Sequence, residues 1–269
     1  MFTRTTGWLI VPLWAASMGW LVAHDVLPGW VAQDPPRLAS AAWLHGAGGK
    51  TQCTIAGEQG RLGTLWTTYL ADAGSIERYD DVWIERLPVP LAPLRIRVTS
   101  TFTPDGVLDE FTLVLESAET LMRLHGERFH ADFSFTFQAS TVRKAFKVPL
   151  VDGGIVSGAF NPFSQLSGLR LGQSWRMQVF NPVAALTGIG DRFIPMLVKV
   201  TGERRISTGA WSGNCFVVES GRAKAFVDAD GVVQMQEMTL PVLGTLRIVR
   251  EPAFDDAARR RARRRSFGR

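Results

Sequence analysis

Apolar and polar side chains alternate along most of the chain from Lys50 onward. The clearest run is Phe129–Phe137, FHADFSFTF, in which every second residue is apolar and the others are His, Asp, Ser and Thr. Successive side chains of a β-strand point to opposite faces of a sheet, so this run predicts a strand with one buried face. Leu94–Phe102 and shorter runs at 111–115 and 175–179 repeat the pattern.

Further strands are predicted near 51–57, 61–70, 76–86, 121–128, 142–148, 196–206, 214–220, 223–229, 232–239 and 244–250. Pro104-Asp105-Gly106 and Asp228-Ala229-Asp230-Gly231 lie between alternating runs, where turns are expected. Alternation with one polar side is typical of antiparallel sheets, and about a dozen strands in one sheet must curl to protect their edges. The predicted fold is therefore mainly β, with a large curved antiparallel sheet or an open barrel.

Two segments interrupt the β pattern. Residues 158–171 predict a loop or a helical turn. Residues 181–186, NPVAAL, predict a short helix with Asn181 as N-cap, Pro182 at its first position and Gly188 as terminator. Both segments are apolar, and we expect them to form a short lid over the concave side of the sheet.

The N-terminal region has a different pattern. Thr5–Ala23 contains no charged residue, and a helix of this length would cover roughly 28 Å, close to the hydrocarbon thickness of a bilayer. Arg4 precedes it, and tryptophans lie near both ends, as in membrane helices. We expect an uncleaved anchor with a cytoplasmic N-terminus. The alternatives are a cleaved secretory signal and a buried soluble helix.

Four regions follow from these patterns: a transmembrane anchor at 1–27, a linker at 28–49, a β-rich extracytoplasmic domain at 50–252, and a disordered Arg-rich tail at 253–269. The expected location is the inner, cytoplasmic membrane, with a single pass and the body in the periplasm. Residues 257–269 hold seven arginines and no acid; without them the formal net charge falls from +5 to −2. A mildly acidic body argues against a nucleic-acid-binding domain, which would spread its basic residues over a folded face.

Several stretches carry a resemblance to a known group of proteins. They are Arg61-Leu62-Gly63-Thr64, the run from Gly168 through Trp175 to Asn181-Pro182, and Ala225–Gly231 leading into Gln236–Pro241. Residues 50–252 resemble an uncharacterised β-rich bacterial envelope family, which also occurs beside transglutaminase-like domains. That family is similar in outline to the periplasmic carriers and receptors of lipoproteins. The resemblance implies an incomplete β-barrel with a helical lid over an apolar cavity that holds acyl chains.

The apolar side of the predicted sheet is the candidate binding surface. Its residues alternate within the strands described above, and they are Leu94, Ile96, Val98, Phe111, Leu113, Phe133, Phe135, Phe137 and Trp175. The alternative is that these residues only form a packed core. A second candidate is the tail, in which Arg259, Arg260, Arg261, Arg263, Arg264 and Arg265 are expected either to contact anionic head groups or an acidic partner, or to stay solvated.

Three other groups of residues are candidates for chemistry. His130 and Asp132 share a polar strand face in this pattern, but two side chains on an open surface make a poor metal site, so no metal or other cofactor is expected. Asp80, Asp81 and Glu85 favour a solvated strand face over a pair of catalytic acids. Cys53 and Cys215 lie in strands of opposite halves, and the alternatives are a disulfide that links the two ends of the sheet or two separate buried thiols.

These patterns contain no catalytic constellation, so we do not expect an enzyme. The expected function is a membrane-anchored envelope protein that binds a hydrophobic or lipid-like group, or a membrane partner, on a curved β-sheet. One alternative is an accessory or scaffold subunit of an inner-membrane, transporter-like complex, and another is an envelope hydrolase. Expected partners are the membrane itself, lipid or lipoprotein, and an inner-membrane complex, with no nucleic acid.

Overall fold

The fold is taken from a computed structural model that describes residues 49–72, 74–86, 93–104, 107–117, 121–130, 132–149, 156–157, 166, 168–180, 193–209, 211–221, 223–240 and 244–266. The predicted anchor, most of the linker and the predicted helix at 181–186 lie outside these residues. Within them, no helix combines the length and the apolar character that crossing a bilayer requires.

Fifteen strands and one helix make up the described part of the chain. The strands are β1 Lys50–Gly57, β2 Gly60–Asp72, β3 Ser75–Ile84, β4 Leu94–Phe102, β5 Leu108–Glu116, β6 Leu121–Phe129, β7 Asp132–Ala139, β8 Val142–Pro149, β9 Val156–Ser157, β10 Ser174–Phe180, β11 Phe193–Thr208, β12 Trp211–Ser220, β13 Ala223–Val227, β14 Val233–Leu240 and β15 Gly244–Arg250. The helix is α1, Asp256–Ser266.

All fifteen strands belong to one sheet, in the order β8 to β1 followed by β15 down to β9. Pairing is antiparallel throughout, except that the two-residue β9 runs parallel to β10. The sheet therefore consists of two meanders that meet where β1 pairs with β15. The mainly β, antiparallel prediction is confirmed, and the predicted strands lie within a few residues of those observed.

The connectivity constrains the shape of this sheet. β8 and β9 follow each other in the chain but lie at opposite edges. Fifteen strands laid flat would span roughly 65 Å. The seven residue steps from Pro149 to Val156 reach at most about 25 Å. A flat sheet is impossible, so the sheet must curve enough to bring its two edge strands near each other.

One predicted strand boundary is wrong. The run at Phe129–Phe137 is not a single strand, because β6 ends at Phe129 and β7 begins at Asp132. His130, between them, has a positive φ of 56°, which places it in a turn. The alternation of the sequence continues across this turn, and so the pattern alone concealed the reversal. The Asp228 turn is confirmed, since the Asp228 carboxylate accepts hydrogen bonds from the backbone N–H groups of Asp230 and Val232.

The two sides of the sheet differ in character. We name the first the apolar face; cross-strand pairing aligns Ile55, Leu65, Val82 and Ile96 on it. Three packed clusters cover this face, and they are continuous because Leu113 and Leu115 contact two of them and Ala223 also contacts two. We name the opposite side the helix face, because α1 packs there against Trp66 and Trp83.

Close packing on the apolar face depends on Gly126 of β6. A Cβ atom at this position would lie 2.8–2.9 Å from the rings of Phe111, Phe133 and Phe135. Those rings pack at tilted and edge-on angles with centroids 5.1–5.9 Å apart, as aromatic pairs prefer. The absence of a side chain at Gly126 therefore makes room for the aromatic centre of one cluster.

The C-terminal segment corrects another prediction. Residues 256–266 of the predicted disordered tail form α1. Asp255 caps the helix by accepting a hydrogen bond from the N–H of Ala258 at 2.8 Å. Ala258 and Ala262, one turn apart, pack on Trp66 and Trp83. Composition suggested solvation because arginines dominate the segment, but two alanines at helical spacing pack on the sheet.

Candidate functional site

The predicted binding residues lie together on the apolar face. Phe111, Phe133, Phe135 and Phe137 belong to one cluster; Leu94, Ile96, Val98 and Leu113 belong to or pack against the next; and Trp175 belongs to the third. Most are buried, whereas Leu94, Val98 and Leu113 are only half-buried. The structure thus brings the predicted set onto one surface, and its role in binding stays a prediction.

A polar group interrupts this face on β15 and on β1 to β3. Arg78 Nη2 lies 2.6 Å from Asp80 Oδ2, and both side chains are buried. Thr67 Oγ1 donates a hydrogen bond of 2.6 Å to Asp80 Oδ1. Tyr69 lies directly across from Arg78 in the strand pairing. We call Cys53, Thr67, Tyr69, Arg78, Asp80 and Arg250 the polar island.

Burial dominates the electrostatics of this island. It raises the pKa of the Cys53 thiol to about 12, an effect that the charge of Arg250 only partly offsets. It also raises the pKa of Tyr69 to about 12, against the opposing charge of Arg78. For Arg78 itself, burial opposes the charge, but Asp80, together with Tyr69 and Cys53, outweighs it and holds the pKa above its usual value. At neutral pH the island therefore contains one buried ion pair beside a neutral thiol and a neutral phenol.

Cys53, Tyr69 and Arg250 nevertheless remain half-buried rather than fully enclosed. Cys53 pairs across the strands with Arg250 on one side and Leu65 on the other. Polar groups with remaining surface thus lie immediately beside the leucine and isoleucine side chains of the apolar face. Such a surface can accommodate a molecule that has both an apolar and a polar part.

Asp81, the next residue along β3, builds a different site on the helix face. Its carboxylate accepts two hydrogen bonds of 2.9 Å from Arg95, whose side chain is also buried. Arg259 and Arg263 of α1 approach the same carboxylate at 3.6 and 3.4 Å. Burial disfavours the charge of Asp81, but the Arg95 hydrogen bonds and the three guanidinium charges outweigh it and lower the pKa.

A solvated strand face was predicted for Asp80, Asp81 and Glu85, and this prediction is wrong for Asp80 and Asp81. Asp80 and Asp81 are buried on opposite faces, each beside an arginine, whereas Glu85 is exposed. Adjacent residues of a strand point to opposite sides, so the two acids could never have formed one catalytic pair.

The arginines of α1 divide into groups. Arg259 and Arg263 contact Asp81, and Arg261 lies 3.6 Å from Asp255. Arg260 and Arg264 are exposed, and the side chain of Arg265 lies outside the described part. Two of the six predicted anion-binding arginines thus hold the helix to the sheet, and binding of an anionic surface by the others stays a prediction.

A cleft opens where α1 crosses the sheet. It measures about 200 Å³, and Arg61, Thr64, Trp66, Trp83, Glu85, Ala258, Arg261 and Ala262 line it. Gln52 fixes one side: its Oε1 accepts hydrogen bonds from the Trp66 indole at 2.8 Å and from the backbone N–H of Asp255 at 2.9 Å. Trp66 is thereby held in place together with the start of the helix.

Of the two alternatives for the cysteines, the structure shows two separate thiols and no disulfide. Cys53 and Cys215 are both free thiols. Cys53 lies in β1 and Cys215 in β12, with β15, β14 and β13 between them in the sheet. Strands are about 4.8 Å apart, so the two cysteines are far beyond the reach of a disulfide. Burial raises the pKa of Cys215 to about 11, with a further contribution from Asp228.

The histidine positions offer little for a metal ion. His125 Nδ1 lies 3.2 Å from Thr112 Oγ1 and 3.6 Å from Glu110 on a partly exposed strand surface. His130 occupies the β6–β7 turn rather than the polar strand face where it was expected. In the described ranges, no three metal-binding side chains come together.

Sequence reasoning missed both the polar island and the site under α1. The signal for the island was weak, because Thr67 and Asp80 look like ordinary polar positions until the pairing of β2 with β3 places them opposite each other. The signal for α1 was present in Asp255 and in the spacing of Ala258 and Ala262, but the arginine content obscured it.

No family model matches the chain, and no curated protein matches it. Among solved structures, one similar chain is a Brucella abortus protein described as a beta-barrel-like protein of a domain of unknown function, DUF1849. The TM-score is 0.46, with 10% identity over 76% of this chain and 96% of that one. Another is a DUF1089 family protein from Pseudomonas aeruginosa, with a TM-score of 0.40 and 15% identity over 63% of this chain and 87% of that one.

Proposed function

We propose that this protein is a membrane-anchored, non-catalytic envelope protein that binds a hydrophobic or lipid-like group on the apolar face of its curved sheet. The observation that carries the proposal is the continuity of that face. Three clusters on it are linked through shared neighbouring side chains, and several of the large side chains packed against them are only half-buried. Removing accessible apolar surface from water is favourable, so a ligand with an apolar part is expected to bind where the fold leaves such surface exposed.

The polar island favours an amphiphile over a plain hydrocarbon. Tyr69 and Arg250 offer a phenol and a guanidinium beside apolar side chains, while Arg78 and Asp80 neutralise each other. The apolar part of a lipid-like ligand would lie on the clusters and its polar end near Arg250. The anchor expected at Thr5–Ala23 would keep such a protein close to a source of lipid.

The test uses the full-length protein, purified in detergent and delipidated, and titrated with the fluorescent fatty acid cis-parinaric acid. Leu113→Asn should weaken binding by about tenfold, because losing one buried apolar side chain costs roughly the 1.4 kcal/mol that corresponds to that factor. Val114→Asn is the matched control, since Val114 is also half-buried but lies on the opposite side of β5.

Saturable binding that Leu113→Asn weakens and Val114→Asn leaves unchanged would support the proposal. No saturable binding by the wild type, or equal losses in both variants, would overturn it. Thermal unfolding of both variants guards against a difference that arises from folding alone, because neither side chain is fully buried.

A further inference from the structure

Arg250, the last residue of β15, places a positive charge on the apolar face. It lies opposite Cys53 in the strand pairing and on the same side of β15 as Leu246 and Ile248. Within the described residues, its guanidinium makes no hydrogen bond and no ion pair. The side chain is half-buried, and none of its nitrogens is completely enclosed. Its N–H groups are therefore available to an acceptor from outside the chain.

The carboxylates around Arg250 are already engaged with other groups. Asp80, the acid of the polar island, pairs with Arg78 at 2.6 Å. Glu251, the next residue in the chain, lies on the helix face, where it accepts a hydrogen bond from Gln52. Neither carboxylate comes within ion-pair distance of Arg250, so neither balances its charge.

The thiol and the phenol of the polar island do not balance this charge either. Burial raises the pKa values of Cys53 and Tyr69 to about 12, although the charge of Arg250 acts in the opposite direction on both. Both groups are therefore neutral at neutral pH. Because Arg78 and Asp80 neutralise each other, the polar island keeps one positive charge, that of Arg250.

Accessible apolar side chains lie several strands away from this charge. Val98 of β4 and Leu113 of β5 lie opposite each other on the apolar face, and both are half-buried. Five strand spacings separate β15 from β5, a path of up to roughly 24 Å along the sheet at about 4.8 Å per spacing. A molecule that contacts both Leu113 and Arg250 must therefore have a long apolar chain.

We propose, on the basis of the function proposed above, that the ligand of the apolar face is a long-chain lipid with a single negative charge, and that Arg250 binds its charged group. One negative charge balances the one positive charge of the polar island. A neutral polar end would leave Arg250 unpaired, and a dianion would bring excess charge into a half-buried site. The carboxylate of a fatty acid and the phosphodiester of an acidic phospholipid share this chemistry.

The experiment titrates the full-length protein with cis-parinaric acid and with its methyl ester, which has the same chain and no charge. The acid should bind about tenfold more tightly than the ester, because only the acid accepts a charge-assisted hydrogen bond. If the ester binds as tightly as the acid while Leu113→Asn weakens both, the proposed function stands and the assignment of Arg250 is wrong. If neither probe binds saturably, both proposals are wrong.

Two variants of β15 locate the charged group. Arg250→Gln should weaken binding of the acid about tenfold and leave binding of the ester unchanged. Arg247→Gln is the matched control, since it removes the same charge from the same strand, but Arg247 is exposed on the opposite side and pairs with Glu237 at 3.0 Å. Equal weakening of the acid by both substitutions would indicate general electrostatic attraction and would overturn the proposal. Equal losses of acid and ester in Arg250→Gln would indicate a structural role and would overturn it too.

Displacement of cis-parinaric acid distinguishes two sources of the negative charge. Palmitate has a carboxylate, lysophosphatidylglycerol has a phosphodiester with one negative charge, and lysophosphatidylcholine adds a positive charge to the phosphodiester. Displacement by palmitate alone would assign the site to fatty acids, and displacement by palmitate and lysophosphatidylglycerol would assign it to monoanionic lipids in general. Lysophosphatidylcholine that displaces the probe as well as lysophosphatidylglycerol does would overturn the requirement for a net negative charge.

Discussion

Asp80 and Asp81 are neighbours in β3, yet they serve opposite sides of the sheet. Asp80 lies on the apolar face, where Arg78 and Thr67 satisfy it within two strands. Asp81 lies on the helix face, where Arg95 comes from the sheet and Arg259 and Arg263 come from α1, more than 170 residues away in the chain. Asp80 thus forms a local ion pair within β3, whereas Asp81 joins the C-terminal helix to the sheet.

The difference shows how one strand supports two candidate sites. On the apolar face, a local ion pair leaves the surrounding surface open, as a ligand site requires. On the helix face, the arginines around Asp81 join α1 to the sheet. Changes at these two positions should therefore have different consequences for stability and for binding.

The largest effect is expected from removing either acid. Asp80→Ala should lower the free energy of unfolding by about 3–5 kcal/mol, because Arg78 would be left charged and buried without its partner. Asp81→Ala should lower the free energy of unfolding by a similar amount, because Arg95 would stay buried without the Asp81 carboxylate. It should also release α1 from the sheet. Urea denaturation measures both losses.

Two readouts separate the faces in that experiment. Proteolysis of α1 should accelerate in Asp81→Ala and not in Asp80→Ala. The double variant Arg78→Met/Asp80→Leu should recover most of the stability, because apolar residues of similar size often replace a buried pair without loss. A loss below about 1 kcal/mol for Asp80→Ala would contradict the importance of the pair.

A smaller effect is expected from adding a methyl group at Gly126. Gly126→Ala should cost about 1–3 kcal/mol, since its Cβ would crowd three phenylalanine rings at 2.8–2.9 Å. Gly202→Ala is the control, because nothing lies within 4 Å of a Cβ there and its backbone is not left-handed. Equal stability of the two variants in thermal unfolding would show that the aromatic cluster is looser than described.

The next prediction concerns the stability of the protein at low pH. Because the folded pKa of Asp81 lies below its unfolded value of about 3.9, its contribution to stability is present above that pH and is lost as the pH falls through the folded pKa. Asp81→Asn should therefore flatten the dependence of the melting temperature on pH below about 4. An unchanged slope in calorimetry between pH 5 and pH 2.5 would contradict the assignment.

The smallest effect is expected for the reactivity of the two cysteines. One thiol lies on each face of the sheet, so labelling them tests both faces without a substitution. Cys53 lies on the apolar face and Cys215 packs with Ile206 and Phe226 on the other. Because burial raises both pKa values, to about 12 and about 11, neither thiol should react with a disulfide reagent at pH 8 until the protein unfolds. After unfolding, the reagent should detect two free thiols per chain without prior reduction. Detecting none would show that Cys53 and Cys215 form a disulfide.

Much of the fold followed from local rules. Period-two alternation located the strands, and turn residues such as those at Asp228–Gly231 marked reversals, because both depend only on near neighbours in the chain. The same rules failed at Phe129–Phe137, where alternation ran through a turn. They also left the pairing of Cys53 and Cys215 open, since the order of strands in the sheet is set by long-range pairing that no local pattern encodes.

The sequence by itself determined that the chain forms a largely antiparallel β sheet with one apolar side, and it named the residues of that side. Only the tertiary structure decided that Asp80 and Asp81 are buried, that they face opposite ways toward different partners, and that an arginine-rich end becomes a docked helix. The physical reason is that charge burial depends on partners brought together across distant strands, whereas alternation depends only on the backbone geometry of each strand.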